Sequence, residues 1–241
     1  MSNEKYSVIV DGTRSPIVLK NSPLLGIRSD DLAAVVIKEL VARNPQISKE
    51  LVDDLVVGCA FPEGPQGMLM AKGISILADL PIESAAKIVN RFCGSSMDAA
   101  HQVSQAVQSG DYECGIAAGV EDMFSVPMGG FNPSFNPTLY ENEYYIGMGE
   151  TAENLAQELD ISRDDQEAFA VHSHEKALAA ISAGRFENEI VPIEFNGATV
   201  SADEGPREPN LEKIKSLAPA FDADGSITAA TSSPISLGAA S

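Results

Sequence analysis

Short apolar runs alternate with helix-like segments along the first half of the chain, and this alternation limits the fold more than any other feature. The runs KYSVIVDG, VDDLVVGCA, SAAKIVN and ECGIAAGV are typical of buried strands. SDDLAAVVIKELVAR and AKGISILADL lie between them and have apolar residues at helical spacing. Strands that alternate with helices in this way predict an α/β layered fold with a largely parallel sheet.

The composition changes after Glu121. Prolines, glycines and asparagines recur as far as Tyr145, a stretch that is too long for an ordinary connection. Two helices with Thr or Ser start signals are predicted next, MGETAENLAQEL and the segment that begins at Ser162. The last segment, ITAATSSPISLGAAS, is predicted to return to the core. We therefore predict three parts, which are a core of residues 1–121, an inserted region of residues 122–224 and a return segment of residues 225–241.

The charge and the cysteines exclude several classes of function. A net charge of −19 argues against a nucleic-acid partner and against an anionic membrane surface. The three cysteines have no CxxC or Cys/His spacing, which fits a reducing compartment and offers neither a disulfide framework nor a metal site. MSNEKYS does not resemble a signal peptide, and no apolar run has membrane-spanning length. We expect a cytoplasmic protein without membrane insertion.

Cys93 is the candidate nucleophile. It follows the apolar run KIVN and precedes the helix-like pattern SSMDAAHQVSQAV. Unpaired N–H groups at a helix N-terminus favour a thiolate and can hold an oxyanion. Gly94 would permit close approach of a substrate. A lone cysteine is more often a packing residue, as we interpret Cys59 and Cys114, so the residues alone leave both interpretations of Cys93 open.

A thiolate nucleophile needs a base, and the histidines do not offer an obvious one. His101 lies two turns along the helix after Cys93 and would point away from its N-terminus. His172 and His174 lie in FAVHSHEKA and face different sides of a helix. We interpret all three as surface residues, so the partner of Cys93 is not found within this chain.

Several segments together resemble one family. NRFCGSSMDAAHQVSQAVQSGDYECGIAAGVEDM closely resembles the nucleophile segment of the thiolases. DGTRSPI, PEGPQGMLMAKGISILADLP, GFNPSFNP and IGMGETAEN resemble further thiolase segments, in the family's order. The resemblance covers essentially the whole chain. It implies a thiolase-like layered αβα half-fold with an inserted loop domain, in which the C-terminal half is absent and the chain stops before the last strand of the half-sheet.

The resemblance also implies an activity. Thiolases are acyltransferases that cleave a 3-ketoacyl-CoA with coenzyme A or run the reverse condensation. By resemblance, Cys93 would carry the acyl group as a thioester, and residues 122–224 would bind coenzyme A as a co-substrate, with no permanently bound cofactor and no metal. The residues that the resemblance assigns to the coenzyme A site are Met148, Arg207, Leu217, Ala220, Phe221 and Ser233.

The chain departs from the family pattern at three places. Gly147 stands where biosynthetic short-chain thiolases often have histidine, which favours a degradative type. Leu237 stands where the family usually has aspartate. The asparagine of N-E-A-F-A, the histidine of G-H-P and the cysteine of C-x-G-G-G belong to the family's second half and do not occur here. We therefore expect the acid/base groups to come from residues beyond Ser241 or from a second polypeptide.

Other interpretations stay open at this point. PEGPQG resembles a subunit-contact loop, which implies a homodimer or tetramer. The main alternative is a non-catalytic acyl-CoA-binding or assembly subunit that keeps the coenzyme A groove without the chemistry. A condensing enzyme of the ketoacyl-synthase type is disfavoured, because the inserted segment is specific to thiolases.

Overall fold

A computed structural model describes residues 6–241, and Met1–Lys5 lie outside the described residues. Contacts divide the chain into two units. The first comprises the residues up to Asn132 with Glu187–Glu204 and Ile235–Ser241, and the second comprises Pro133–Phe186 and Gly205–Pro234. This division differs from the predicted insertion of residues 122–224. Glu187–Glu204 pack with the first unit because Arg14 donates hydrogen bonds of 2.7 Å to both Glu189 and Asp203.

The first unit is built around a four-stranded sheet with helices against it, which confirms the predicted α/β class. The strand order is β2-β1-β3-β6; β1 pairs in parallel with β2 and β3, whereas β6 is antiparallel to β3. β4 and β5 form a separate two-stranded antiparallel sheet, and Ile193 of β4 belongs to the same buried cluster as the residues of the larger sheet. The elements are α1 (Ser29–Arg43), β1 (Val52–Gly58), α2 (Met70–Leu77), β2 (Ala85–Val89), α3 (Ser95–Ser109), β3 (Cys114–Asp122), β4 (Ile193–Phe195), β5 (Ala198–Val200) and β6 (Leu237–Ala240).

The predicted first strand, KYSVIVDG, does not form among the described residues, and its Lys5 lies outside them. Residues 6–12 have no strand pairing, and Ile9 is 94% exposed. Thr13 and Ser241 exchange two backbone hydrogen bonds of 2.8 Å. In that antiparallel register none of the described residues lies opposite residues 6–12. An apolar run with strand propensity forms a ladder only beside another strand, so propensity alone gave the wrong prediction here.

The return segment was predicted to stop before its strand, but it already contains one. β6 pairs with the end of β3, from Gly119 opposite Ala240 to Asp122 opposite Leu237. Leu237 and Ala239 alternate into the core, with 1% and 3% of their surface exposed. The leucine that departs from the family pattern therefore supplies core contacts.

The second unit consists of helices joined by irregular segments. The predicted cap of α6 forms, since the Ser162 hydroxyl accepts a hydrogen bond from the Asp165 N–H. The cap predicted for α5 does not, because α5 begins after Gly147 without a side-chain cap. Its helices are α4 (Pro137–Glu141), α5 (Met148–Glu158), α6 (Arg163–Ser182) and α7 (Leu211–Lys215).

None of the helices in residues 6–241 combines the length and the apolar character that crossing a lipid bilayer requires.

Candidate active site

Cys93 lies in a tight turn between β2 and α3, at the carboxyl end of the sheet. Phe92, directly before it, has a φ of +47°, in the left-handed region that bulky residues avoid. The Asn90 side chain accepts a hydrogen bond of 2.8 Å from the Phe92 N–H. Left-handed backbone at a non-glycine residue costs about 1–3 kcal/mol and recurs at functional sites. The turn leaves the Cys93 side chain exposed to solvent.

Ser95 holds this turn from the first residue of α3. Its buried hydroxyl accepts a hydrogen bond of 2.9 Å from the Arg91 N–H and donates one of 2.6 Å to the Phe92 carbonyl. Gly119 of β3 lets the helix begin so close to the sheet, because a Cβ at that position would overlap the Ser96 hydroxyl. The turn is therefore held by the Ser95 hydroxyl, and the absence of a side chain at Gly119 allows the helix to begin close to the sheet.

No side chain caps the N-terminus of α3, and Gly94 is the residue at the cap position. The Gly94 and Ser95 N–H groups donate to the Arg91 and Phe92 carbonyls of the turn, each at 3.0 Å. The first N–H groups of a helix have no acceptor within the helix and carry the positive end of its dipole. A thiolate or an oxyanion next to this terminus would therefore be stabilised.

The three thiols have different surroundings. Cys59 is buried beside Glu121, and burial, reinforced by the Glu121 charge, raises the pKa of its thiol to about 12. Burial also raises the pKa of Cys114, with a contribution from the Asp53 charge. Cys93 alone among them is exposed. The interpretation of Cys59 and Cys114 as packing residues agrees with this environment.

A second loop is attached to the nucleophile turn. The Asn90 amide donates a hydrogen bond of 2.8 Å to the Ala60 carbonyl, and the rings of Phe61 and Phe92 lie 5.8 Å apart between centroids. Buried Gln66 anchors the other end of this loop by accepting the Asp122 N–H at 2.6 Å. The segment from Ala60 to Gln66 is therefore fastened to the turn that presents Cys93 at one end and to β3 at the other.

His101 does not approach Cys93. It is exposed on α3, six residues after Ser95, which at the helical rise corresponds to roughly 9 Å along the axis. The residues described in the first unit therefore contain no histidine beside the thiol. The charged group nearest in sequence is Arg91, whose Nε lies 3.4 Å from Asp98 Oδ1.

A groove of about 510 Å³ lies within the second unit. Four of the six residues assigned by resemblance to the coenzyme A site line it. One wall comes from Ala220 and Phe221, and another from residues 229–230 and 232–234, which include Ser233. Arg207 lies on the segment that follows Gly205 in the same lining.

The other two assigned residues are not part of the lining. Met148, the first residue of α5, is 71% exposed. Leu217 is half-buried, and its carbonyl accepts a hydrogen bond of 2.7 Å from Arg163. Lys215 lines a different groove of about 330 Å³, in which Asp164, Glu167 and Glu175 also lie.

Two contributions to the larger groove escaped the sequence analysis. His174 lines it from α6, and its Nδ1 accepts the Arg207 N–H at 3.4 Å, so it is not the plain surface residue that we predicted. The spacing of Ser173, His174 and Ala177, which share one helix face, could have indicated this. Gly149 lies beneath the Phe221 ring, which a Cβ at that position would overlap.

Comparison with known proteins identifies the relatives of this chain. Residues 7–241 match the family description "Thiolase, N-terminal domain". The chain is 39% identical to a 3-ketoacyl-CoA thiolase of Bacillus subtilis over 253 aligned positions, with 98% of this chain and 64% of that protein covered. It is 42% identical to a 3-ketoacyl-CoA thiolase of a Marinomonas species, with 98% and 63% covered.

The chain thus spans slightly less than two thirds of the length of these curated relatives. The match extends over nearly all described residues, including the turn at Cys93, the groove in the second unit and the return strand β6. The chain therefore belongs to the thiolase family, of which it matches the N-terminal domain.

Proposed function

We propose that this chain is the nucleophile-bearing part of a thiolase-type acyl-CoA C-acyltransferase, in which Cys93 forms the acyl-enzyme. The observation that carries the proposal is the exposed thiol in a left-handed turn directly before the uncapped N-terminus of α3. The relatives named 3-ketoacyl-CoA thiolase suggest the substrate class. Gly147, in place of the histidine of short-chain biosynthetic members, favours the degradative type of thiolase and hence a role in fatty-acid β-oxidation.

In the cleavage direction, the Cys93 thiolate attacks the C3 carbonyl carbon of a 3-ketoacyl-CoA, and the carbonyl electron pair moves to oxygen. The N–H of Cys93 and the positive end of the α3 dipole stabilise this oxyanion. Collapse of the adduct breaks the C2–C3 bond. The electron pair goes to C2, which takes a proton and leaves as acetyl-CoA, while the shortened acyl group stays on sulfur.

Coenzyme A completes the cycle. A base removes its thiol proton, the sulfur attacks the acyl-Cys93 thioester, and the Cys93 thiolate is released together with the shortened acyl-CoA. We propose that the acid and base come from polypeptide beyond residue 241 or from a second polypeptide, since His101 lies along α3 away from the thiol. This chain alone should then show little or no turnover.

We further propose that the groove in the second unit binds coenzyme A as a co-substrate. Arg207 is suited to a phosphate, because a guanidinium can donate two parallel hydrogen bonds. Phe221, which is 46% exposed, offers an apolar surface to the rest of the ligand. A role of Met148 and Leu217 in binding coenzyme A is proposed on the resemblance alone, because neither residue lines the groove.

Alkylation and acyl transfer test the role of Cys93 on the chain as it stands. With iodoacetamide and peptide mass mapping, we expect Cys93 to react at least about tenfold faster than Cys59, whose thiol is buried and protonated. After incubation with acetyl-CoA, a mass gain of one acetyl group is expected on Cys93. Cys93→Ala should abolish the gain, and Cys114→Ala should keep it.

The same experiment tests the alternative of a non-catalytic acyl-CoA-binding or assembly subunit. An inert Cys93 in a chain that still binds coenzyme A would favour the binding subunit and end the proposal for this residue. The C-terminal part of a relative, which this chain does not cover, can be added as a second polypeptide and thiolysis measured. The activity should then disappear in Cys93→Ala. Activity retained in that variant would exclude Cys93 as the nucleophile.

We propose a homo-oligomer, a dimer or a tetramer, as the assembly. β2 is the edge strand of the sheet, and apolar side chains next to it are exposed, with Ile76 at 54% and Ile82 at 69%. Two copies that pair through this edge would cover both features. Light scattering should give at least twice the chain mass, and Ile76→Glu should lower it. A monomeric wild type would contradict this assembly.

A cytoplasmic location is the last part of the proposal. It is supported by the three free thiols of the chain, which a reducing compartment preserves.

A further inference from the structure

Glu153 is a buried carboxylate on α5, and its exposed fraction is 4%. It accepts hydrogen bonds from the N–H groups of Ser226 at 2.9 Å and Ile227 at 2.8 Å. The Ser226 hydroxyl adds a third hydrogen bond at 3.2 Å. Hydrogen bonds to an ionised group are roughly twice as strong as neutral ones. The carboxylate therefore fastens the backbone of this loop to the helix.

The loop is shaped around the carboxylate. Gly225, the residue before the two donors, approaches so closely that a Cβ would overlap Glu153 Oε1. Its own N–H donates to the Asp222 carbonyl at 3.1 Å, which closes a turn. The contact between Glu153 and the loop is thus a close backbone fit that a larger residue at position 225 would disturb.

Both arms of this loop lead to walls of the coenzyme A groove. On the preceding arm, the Ile227 carbonyl accepts the Ala220 N–H at 2.8 Å, and Ala220 is a lining residue. On the following arm, Thr228 accepts the Ala230 N–H at 3.2 Å and the Ser232 hydroxyl at 2.7 Å. Ala230 and Ser232 line the groove as well. A shift at Ile227 would therefore be transmitted to both walls.

The same helix supports the groove at a second point. Gly149 lies one turn before Glu153, on the same helix face, and contacts the Phe221 ring. α5 thus sets the position of Phe221 from below through Gly149 and the position of the loop through Glu153.

We propose that Glu153 is a positioning residue for the groove, which holds both walls through the Ser226–Ile227 backbone and so sets the affinity for coenzyme A without touching it. The inference rests on the proposed function, because it takes coenzyme A as the ligand. Glu153 acts on the walls and has no part in the chemistry at Cys93.

Calorimetric titration of the purified chain with coenzyme A tests the inference. Glu153→Gln keeps the size of the side chain but turns an NH2 group towards backbone donors, so we expect a Kd about tenfold higher than that of the wild type. Glu158→Gln, at an exposed position of the same helix, is the matched control and should leave the Kd unchanged. Gly225→Ala perturbs the same contact from the loop side and should weaken binding similarly.

The stoichiometry separates positioning from a general loss of structure. A positioning role raises the Kd while one ligand still binds per chain, whereas partial unfolding lowers the stoichiometry and leaves the Kd of the remaining molecules unchanged. The double variant should bind no more weakly than the weaker single one, since both changes disrupt one contact. An unchanged Kd in Glu153→Gln and Gly225→Ala would overturn the inference. A wild type that does not bind coenzyme A would overturn the proposed function first, and the inference with it.

Discussion

The two units of the chain are stabilised by different kinds of contact. The first contains a continuous cluster of buried aliphatic side chains, in which Leu24, Leu55 and Ile74 are completely buried. In the second, large apolar side chains such as Phe169 are exposed, by 75% in that case. The buried residues described in the second unit are Glu153, Ala156, Glu167, Ile227 and Thr228.

The difference lies in how each unit specifies its geometry. Burial of apolar surface contributes about 25 cal/mol per Å² and has no direction. A hydrogen bond contributes about 1 kcal/mol net, but it fixes the positions of the two groups that it joins. The first unit can therefore be stable with many interchangeable contacts. The second depends on a few directional ones, which suits a binding groove whose walls need defined positions, and we expect it to open more easily.

The largest effect should come from a cavity in the first unit. Leu55→Ala removes a completely buried side chain from β1, so we expect a loss of about 2–5 kcal/mol in the free energy of unfolding. Leu155→Ala on α5 removes a side chain that is 47% exposed, and the loss should stay below about 1 kcal/mol. Urea unfolding followed by hydrogen exchange assigns each loss to its unit. Equal losses of unfolding free energy in the two variants would show that the two units do not differ in how much they depend on apolar burial.

A smaller effect is expected from the ion pairs of Arg14. Burial alone would raise the pKa of the Asp203 carboxyl, but hydrogen bonds from Arg14 and the Ile17 N–H, with the Arg14 charge, hold this pKa below its ordinary value. A lowered native pKa gives stability that is present above the unfolded-state pKa, about 4, and is lost as the pH falls through the native value. Asp203→Asn should therefore cost about 2 kcal/mol near neutral pH.

Stability curves against pH measure this contribution. The difference between wild type and Asp203→Asn should be largest at neutral pH and shrink below about pH 4. Asp224→Asn, at an exposed position of the second unit, serves as the control and should give a flat difference. A constant difference for Asp203→Asn across this range would contradict the assignment.

A still smaller effect tests the directional contacts of the second unit. Arg163 donates to Glu167 Oε1 and to the Leu217 carbonyl, each at 2.7 Å. Arg163→Lys keeps the charge but cannot span both acceptors, so we expect faster hydrogen exchange in α7 and Leu217, equivalent to about 1 kcal/mol. Arg185→Lys, at an exposed position, should change nothing there. Unaltered exchange around Leu217 would show that the guanidinium fork is dispensable.

Local patterns predicted much of the first unit. Helix α1 has the limits that its sequence suggested, Ser29–Arg43. The turn before α3 and the exposure of Cys93 also agree with the sequence. These features depend on periodicity and on neighbours in the chain, which a sequence displays directly.

Features that depend on distant neighbours were harder to predict. Residues 6–12 have the pattern of a strand, but no other strand pairs with them among the described residues, and strand pairing cannot be deduced from one strand alone. Glu153 appeared only as part of a motif, because its partners, Ser226 and Ile227, lie more than seventy residues away. The groove assignments at Arg207 and Phe221 came from resemblance, and spacing alone could not have supplied them.

The smallest expected effect is that of salt on the stability of the second unit. The net charge of −19 means that the acidic side chains repel one another on average. The distance over which salt screens such charges falls from about 10 Å at 0.1 M to about 3 Å at 1 M. Salt would weaken a unit that depended on exposed ion pairs. The Glu153 contacts are buried and join a charge to backbone groups, so screening should leave them intact while it relieves the repulsion.

We therefore expect sodium chloride to raise the unfolding midpoint of the second unit by about 2–4 °C, measured by temperature-dependent hydrogen exchange. A midpoint that falls with salt would show that exposed ion pairs, and not buried carboxylates, stabilise this unit.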